Sequence, residues 1–520
     1  MRVRAAGPGP GRILALTAAV TLAGCGLLPA GKETAPPPAS EPAAEPTSAP
    51  ATSATAATPA PPDGSGRPAL AATRSTMTEH LKIEVVGLNR IRGKHLVAQV
   101  RLSNTGTKDL AWTGELGDHT RPLGEIRWAS GIGVLDAAAR VWLLPYQPAG
   151  APCLCSDQRR DKLGYFVEPG RSVTVYAVLP APSGNPATAT VVTPAAPPMP
   201  DVPISDEPPA GDFPDPDAEP VTPVTRRLLL PSESLDKSEE TADTGTEVRV
   251  SLSSDVLFAV DKATLTPRAK TVLARTAELL DASDGSVVKV EGHADSSGTD
   301  AINDPLSRRR ALAVRDALTR LLTREGVRFQ ARGYGSRRPL YSNESDEGRR
   351  RNRRVTVTFA KPAPVRAAPP STPPESPGEL TATGQGKPIG LEVTGLRRLA
   401  GGLGLLTYTI KNEGAAEVWY NDLHHAQDWE SYKYQAAGNV RLTDVAARRR
   451  YLPGRLLVPT GNGVDSYCAC TDVSGVRLAT EKFAPGQARD FWSLFALPDD
   501  ATSLKVTIGS TFPALRVPVG

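Results

Sequence analysis

The sequence has few aromatic residues, few cysteines, little net charge and no long apolar run. Aromatic side chains make up 5% of the 520 residues, whereas 50 residues are proline, roughly twice the usual share of about 5%. This combination is typical of globular domains separated by segments that bury little apolar surface. The formal net charge of +4 is too small for a dedicated nucleic-acid-binding protein. No stretch reaches 18 uninterrupted apolar residues, so we predict no membrane-spanning helix.

Short motifs of common enzyme classes are also missing. The sequence contains no H-E-x-x-H, no G-x-S-x-G and no P-loop pattern, which are the signatures of zinc peptidases, serine hydrolases and nucleotide-binding proteins. Its six histidines are scattered, apart from the adjacent pair His424 and His425. We therefore expect no enzymatic activity, no metal site and no cofactor.

The first 25 residues have the pattern of an export signal. Three arginines within the first twelve residues precede an apolar run from Ile13 to Gly24, which is too short to span a bilayer. The run ends in Leu22-Ala23-Gly24-Cys25, which resembles the lipobox of bacterial lipoproteins. That resemblance implies that Cys25 is the lipidated mature N-terminus, the alternative being an ordinary signal peptide.

Composition divides the remaining chain into domains and linkers. Between 201 and 241 eleven acidic residues face three basic ones, whereas between 250 and 361 fourteen acidic residues face twenty-one basic ones. We expect an acidic tether leading into a basic domain. The predicted segments are a signal peptide at 1–24, a disordered Pro/Ala/Thr-rich stalk at 25–78, a β-sandwich at 79–193, an acidic Pro-rich linker at 194–245, a central domain at 246–361, a disordered Pro-rich linker at 362–386 and a second β-sandwich at 387–520.

The two outer domains are copies of one sequence. Glu84 to Leu88, Asn104 to Gly106 and Asp136 to Arg140 each find a counterpart 308 residues later in the chain. Alternating stretches such as Leu96 to Leu102 and Leu405 to Ile410, separated by Asn/Gly turn signals, predict strands with one buried face. We predict two all-β sandwiches of immunoglobulin-like type.

Each copy contains a Cys-x-Cys pair at the equivalent position. Outside the cytoplasm, oxidised pairing is the default state of cysteines. The simplest prediction is two local disulfides, Cys153 with Cys155 and Cys468 with Cys470. A bridge between the two copies and a thiolate metal site are the alternatives.

The central domain shows alternating strand and helix signals in a βαβαββ order, which predicts an α+β or α/β sandwich. Thr266-Pro267 has the pattern of a helix start. Five blocks follow one another in this segment: Leu257-Phe258 with Asp261 and Leu265, Glu291-Gly292-His293-Ala294-Asp295, Asn303 to Ala311, Gly333-Tyr334-Gly335, and Glu347 to Val355 for E-G-R-x-x-N-R-R-V. In these blocks the segment resembles the OmpA-like domain, a peptidoglycan-binding module of outer membrane protein A, flagellar stator proteins and peptidoglycan-associated lipoproteins.

The resemblance assigns a peptidoglycan-binding site to this domain. Binding the zwitterionic head of diaminopimelate requires a carboxylate for the ammonium and a guanidinium for the carboxylate. The family's pair falls on Asp295 and Arg310, with Asn303 supplying an amide and Ala294 standing where threonine is usual. A structural ion pair is the alternative role for Asp295 and Arg310.

Other polar residues of this domain receive more modest roles. We expect Arg353 to line the site and the other arginines of 349–354 to form a solvated face. Pro305 suits a helix start, and His293 is expected to pack or hydrogen-bond rather than catalyse.

The sequence thus predicts a lipid-anchored envelope protein that tethers the membrane to peptidoglycan. It would face the wall from the plasma membrane, or from an outer membrane if the host has one. Expected partners are peptidoglycan, the membrane through its anchor, and envelope proteins through the sandwiches, with no nucleic acid. The alternative is a wall-targeted enzyme or redox protein that uses the OmpA-like domain only for localisation.

Overall fold

The computed structural model of the protein describes residues 66–121, 127–361, 380–424, 437–461, 463–471 and 482–520. The predicted signal peptide, Cys25 and most of the predicted stalk lie outside these ranges, as do residues 362–379 of the second predicted linker. None of the helices in the described ranges meets the length and hydrophobicity that a bilayer-spanning helix requires.

The first β-rich region consists of two layers of strands. One layer has the order β1-β2-β3-β8, and the other has the order β10-β9-β5-β6. Its ten strands are β1 (Ala71–Arg74), β2 (Leu81–Ile91), β3 (His95–Asn104), β4 (Leu110–Ala111), β5 (Gly133–Asp136), β6 (Val141–Pro148), β7 (Phe166–Val167), β8 (Ser172–Pro180), β9 (Thr188–Thr193) and β10 (Ala196–Pro203).

Residues from both layers form the core of this region. Leu96, Ala98 and Val100 alternate along β3 and pack in one buried cluster with Val134 and Val191 of the opposite layer, as the period of two in a strand requires. The strand predicted for Leu96 to Leu102 is confirmed, but the prediction of a single buried face is wrong, because Val97, Gln99 and Arg101 on the other face are buried as well. The two-layer arrangement agrees with a sandwich, while the immunoglobulin-like type stays a prediction.

The segment predicted as an acidic linker at 194–245 is instead built from strands. It contains β10, then β11 (Val221–Ser234) and β12 (Glu239–Asp243). Along β11, Val224, Leu228 and Leu230 are buried, so the strand has an apolar face that composition alone concealed. Its acidic residues pair with arginines of distant segments, which is why the high charge does not leave it unfolded. The prediction of a disordered linker here is wrong.

The central domain follows without a break in the sheet. β13 pairs with β12 on one side and with β16 on the other, and the order continues β13-β16-β14-β15 with β14 and β15 parallel. The elements are β13 (Glu247–Ser253), α1 (Ser254–Leu257), α2 (Pro267–Asp281), β14 (Val287–Gly292), α3 (Asp300–Leu321), β15 (Arg328–Gly333), α4 (Asp346–Asn352) and β16 (Arg354–Ala360).

Helices α2 and α3 pack with this sheet around one core. Val272 and Leu280 of α2 join Val314 and Leu318 of α3 and strand residues in a buried cluster. The helix predicted to open at Thr266-Pro267 is confirmed, since the Thr266 side chain accepts a hydrogen bond from the Ala269 N–H. Pro305 lies inside α3 rather than at its start, in the second turn, so that expectation is wrong.

The second β-rich region repeats the first. Its four-stranded layer has the order β17-β18-β19-β24, and β20 pairs with β21 and β25 in the other layer. The strands are β17 (Leu380–Thr383), β18 (Ile389–Leu399), β19 (Leu403–Asn412), β20 (Val440–Asp444), β21 (Arg449–Tyr451), β22 (Arg455–Thr460), β23 (Gly463–Cys468), β24 (Ala488–Ala496), β25 (Ser503–Ile508) and β26 (Leu515–Pro518). Both regions begin earlier than predicted, because β1 precedes residue 79 and β17 precedes residue 387.

One asparagine in each copy makes the same set of hydrogen bonds. The Asn104 amide donates to the carbonyls of Lys108 and Val167, both at 2.7 Å. The Asn412 amide donates to the carbonyls of Ala416 and Phe483, at 2.9 and 3.0 Å. Each asparagine also accepts from the N–H two residues on. The Asn/Gly turn signal that related the two copies in sequence therefore forms a turn with the same hydrogen bonds in each copy.

Strand β11 joins all three regions. It pairs with β6 of the first copy, with β21 and β22 of the second, and with β12. A buried cluster contains Trp142 of the first copy, Leu228 of β11 and Trp492 of the second copy. The two copies therefore share a core with β11 between them, and the described strands of 196–361 connect them to the central domain through one sheet.

Candidate binding site

The loop after β14 is held tightly against helix α3. A Cβ at Gly292 would come within 2.0 Å of the Ser307 carbonyl oxygen, so the strand end can approach the helix only without a side chain. The next two residues are fixed by backbone hydrogen bonds, His293 N–H to Arg354 O at 2.9 Å and Ala294 N–H to Gly335 O at 2.8 Å. The small Ala294 side chain is buried, and Asp295 follows at a defined place.

Asp295 is a buried carboxylate with several donors. It accepts hydrogen bonds from the Ser297 N–H at 3.0 Å, from the Ser297 hydroxyl and from Arg353 Nη1 at 2.7 Å. Burial alone would raise the pKa of Asp295, but the bonds from Ser297 and Arg353 outweigh it and lower the pKa. A carboxylate has about four acceptor positions, so three donors leave room for one more.

Arg353 bridges two carboxylates from different elements. Its Nε and Nη2 atoms donate to the two oxygens of Asp255 in α1, at 2.9 and 2.7 Å, while its Nη1 atom reaches Asp295. The bidentate bond to Asp255 is the main reason that the pKa of Arg353 is raised, with Asp295 adding to it. The Arg353 side chain retains 33% of its exposure.

Arg310 lies beside this pair without a direct bond to Asp295. Its Nε atom donates to the Lys262 carbonyl at 3.1 Å, and its guanidinium stacks 5.2 Å from the Phe258 ring centroid. Of the three nitrogens of the Arg310 guanidinium, only Nε donates a hydrogen bond to another described residue. The two η nitrogens can therefore bind a ligand. Burial lowers the pKa of Arg310, and Asp255, Asp261 and Asp295 act in the opposite direction.

We call Asp255, Asp295, Arg310 and Arg353 the Asp–Arg cluster. It contains two acidic and two basic side chains, which gives a neutral site with both signs of charge available. Such a site suits a zwitterion, because each charged end of the ligand finds an opposite charge.

The remaining predicted residues have supporting positions. The Asn303 amide donates to the Ser297 carbonyl at 2.8 Å, so it closes the loop that carries Asp295. His293 is buried and stacks on Tyr334 with ring centroids 5.6 Å apart. Burial, followed by the nearby Arg354, lowers the pKa of His293 to about 3, so it is neutral at pH 7.

Two features were missed at the level of the sequence. Asp255 stands two residues before the Leu257-Phe258 block, and that proximity was the available signal. Arg351 and Arg354 are buried, so the prediction of a solvated arginine face is wrong for these two residues. Arg351 lies in the last turn of α4 and donates to Glu347, whereas Arg354 opens β16 and donates to the Arg338 carbonyl, so acidic residues and carbonyls replace water around them.

The Cys-x-Cys pairs lie in the two β-rich regions. Cys153 is bonded to Cys155 and Cys468 to Cys470, and all four residues are fully buried or nearly so.

A cavity of about 590 Å³ lies between the two β-rich regions, with Thr73, Pro198 and Thr407 among its lining residues. It contains no residue of the Asp–Arg cluster.

Comparison with known proteins shows that the segment around the Asp–Arg cluster is similar to a known family. Residues 257–353 match the OmpA family model. Outer membrane porin F of Pseudomonas aeruginosa is 44% identical over 108 residues, which are 21% of this chain and 30% of that protein. The peptidoglycan-binding protein ArfA of Mycobacterium tuberculosis is 34% identical over 116 residues, or 22% of this chain and 35% of that protein. The chain thus spans about a third of the length of these curated relatives.

Among solved structures, the cell wall anchor of the T6SS from Pseudomonas aeruginosa is 33% identical, covers 24% of this chain and 90% of its own, and has a TM-score of 0.22. The match to the family model includes three of the four residues of the Asp–Arg cluster. The fourth, Asp255, lies two positions before the match begins. The central domain of the chain is therefore an OmpA-like domain.

Proposed function

We propose that the central domain binds peptidoglycan non-covalently through the zwitterionic head of diaminopimelate in the peptide stem. The ammonium group binds Asp295 at its remaining acceptor position. The carboxylate binds the free η nitrogens of Arg310, with Arg353 close by to share the charge. No covalent bond is made or broken in this mechanism.

The observation that carries the proposal is the placement of Asp295 and Arg310 in one cluster with their ligand-facing atoms unsaturated. Asp295 has a lowered pKa, so its carboxylate is charged at pH 7. A guanidinium binds a carboxylate through two parallel N–H donors. The name of the ArfA relative, a peptidoglycan-binding protein, supports the same ligand.

We further propose that the chain acts in the cell envelope, with Cys25 carrying a lipid that anchors it to a membrane. The central domain would then tether that membrane to the wall, while the β-rich regions provide contacts for other envelope proteins. The lipobox-like sequence at 22–25 supports the anchor. Burial of all four disulfide sulfurs favours a structural role over the alternative of a redox protein, since redox chemistry requires access to the sulfur.

Co-sedimentation of the full chain with purified, diaminopimelate-containing wall tests this function. Asp295→Ala and Arg310→Ala should each release the protein into the supernatant. The matched controls Asp284→Ala and Arg320→Ala change the same charges at exposed positions and should sediment as the wild type does. Equal sedimentation of all five proteins would refute the proposed binding site.

A further inference from the structure

The hairpin formed by β11 and β12 places two glutamates directly opposite each other. Glu233 and Glu240 are cross-strand partners, and the former is 4% exposed. Like charges at facing positions of an antiparallel pair repel and destabilise the hairpin. This arrangement therefore requires a positive charge between the two side chains.

Arg351 of helix α4 provides that charge. It donates from Nη2 to Glu233 at 2.7 Å, from Nη1 to Glu240 and from Nε to Glu347 at 3.0 Å. Burial would lower the pKa of Arg351, but Glu240 and Glu233 outweigh it and raise the pKa. Tyr341 adds a hydrogen bond to Glu240 at 2.5 Å. We call Glu233, Glu240, Tyr341 and Arg351 the hairpin clamp.

The hairpin lies outside the part of the chain that matches the OmpA family model, which begins at residue 257. Arg351 occupies one of the two variable positions of the E-G-R-x-x-N-R-R-V block. The family pattern therefore does not specify the clamp. Its glutamates lie in a segment that precedes the family match, and its arginine lies at a position where the block allows any residue.

The clamp acts on the helix end that carries a residue of the Asp–Arg cluster. Helix α4 ends at Asn352, and the N–H of Arg353 donates to the Arg349 carbonyl at 3.0 Å. The backbone of Arg353 is therefore fixed to α4, and its side chain reaches Asp255 and Asp295 from there. Any rotation of α4 displaces the Arg353 guanidinium from both carboxylates.

We propose that Glu233 and Glu240 are positioning residues of the wall-binding site: by clamping Arg351, they hold α4 so that Arg353 faces Asp295. The inference rests on the proposed function of that site. The clamp also reaches the second β-rich region, because Glu233 accepts from Arg450 Nη1 at 3.1 Å. One glutamate thus connects a flanking region to the helix that orients the site.

A double-mutant cycle on the full chain separates positioning from simple stabilisation. Glu233→Gln/Glu240→Gln keeps the shape of both side chains and removes their charge. We expect it to weaken binding to diaminopimelate-containing wall by about threefold to tenfold. The same pair in an Arg353→Ala background should cause no further loss, because the residue through which the clamp acts is absent. The control Glu278→Gln/Glu325→Gln removes two exposed charges from the same domain and should bind as the wild type does.

Hydrogen–deuterium exchange of the peptide covering 346–353, measured without wall, supplies a second readout. The Glu233→Gln/Glu240→Gln variant should exchange faster there than the wild type and the control pair. Unchanged exchange overturns the inference, and so does an equal loss of binding in the presence and absence of Arg353. If the wild type fails to bind wall while the exchange result holds, the proposed function is wrong and the positioning of Arg353 stands.

Discussion

Two arginines separated by one residue in the chain serve different regions of the molecule. Arg351 belongs to the hairpin clamp and keeps 3% of its side-chain exposure, whereas Arg353 belongs to the Asp–Arg cluster and keeps 33%. Arg351 is bonded to three carboxylates and Arg353 to two. The family block that contains both arginines does not distinguish them.

For these two arginines, exposure and not residue type separates the charge with a structural role from the charge beside the proposed ligand. A buried ion pair that loses one partner leaves an uncompensated charge in a medium of low dielectric constant. A partly exposed charge is solvated when its partner leaves, so it can exchange one partner for a ligand at modest cost. The clamp is therefore expected to govern stability, and the cluster to govern binding.

The largest effect should follow removal of the clamp arginine. Arg351→Ala leaves Glu233 and Glu240 facing each other with only Arg450, on Glu233, as a counter-charge, and we expect the free energy of unfolding to fall by about 3 to 5 kcal/mol. Thermal unfolding of the full chain measures this change. Arg350→Ala, which removes a more exposed arginine of the same helix, is the matched control, and equal melting temperatures for the two variants would contradict the comparison.

A pH dependence of stability should come from His293, which lies in the loop after β14, two residues before Asp295. The pKa of His293 is about 3 in the folded protein and about 6.5 when unfolded, so the unfolded chain takes up a proton first as the pH falls. The stability contribution is fully present above pH 6.5 and is lost as the pH falls towards 3. At pH 5 the loss should be about 2 kcal/mol. Melting curves of the wild type and His293→Gln between pH 7.5 and 5 should diverge accordingly, and parallel curves would rule this out.

Removal of the cluster arginine, Arg353, should weaken wall binding and should lower stability less than Arg351→Ala does. Arg353→Ala is expected to lower the free energy of unfolding by about 1 to 2 kcal/mol, because the buried Asp295 keeps its bonds from Ser297, while weakening wall binding by about tenfold, or about 1.4 kcal/mol. Sedimentation titrations and melting curves on the same preparation give both values. A large fall in stability with unchanged binding would place Arg353 with the clamp instead.

The smallest effect on stability is expected from the two disulfides, which belong neither to the hairpin clamp nor to the Asp–Arg cluster. Each Cys-x-Cys disulfide closes a loop with a sequence separation of 2, so it restricts the unfolded chain little. Cys153→Ala/Cys155→Ala should lower the free energy of unfolding by about 1 kcal/mol and leave wall binding unchanged. Peptide mapping without reductant should recover the local pairs, whereas a link between residues 153 and 468 would contradict them.

The sequence predicted the parts of the fold that depend on local pattern. Alternation identified strands such as β3, the ordered blocks identified the central domain, and the resemblance to the OmpA-like domain implied that Asp295, Arg310 and Arg353 lie at one site. Each of these signals lies within a short stretch of chain.

Features that depend on distant partners were not predictable in this way. The acidic segment containing Glu233 and Glu240 has the composition of a disordered linker, and it folds because β11 buries an apolar face and its glutamate pairs with Arg351 and with Arg450 of the second copy. For the same reason, Arg351 could not be recognised as buried. Long-range charge complementarity leaves no periodic trace in the sequence.

The central claim is that the Asp–Arg cluster captures a zwitterion, and a comparison of two walls tests it most directly. The full chain is sedimented with peptidoglycan that carries diaminopimelate and with peptidoglycan that carries lysine at the same position, which retains the ammonium but lacks the second carboxylate. The account predicts strong sedimentation with the first wall and little with the second. Equal sedimentation with both would contradict it.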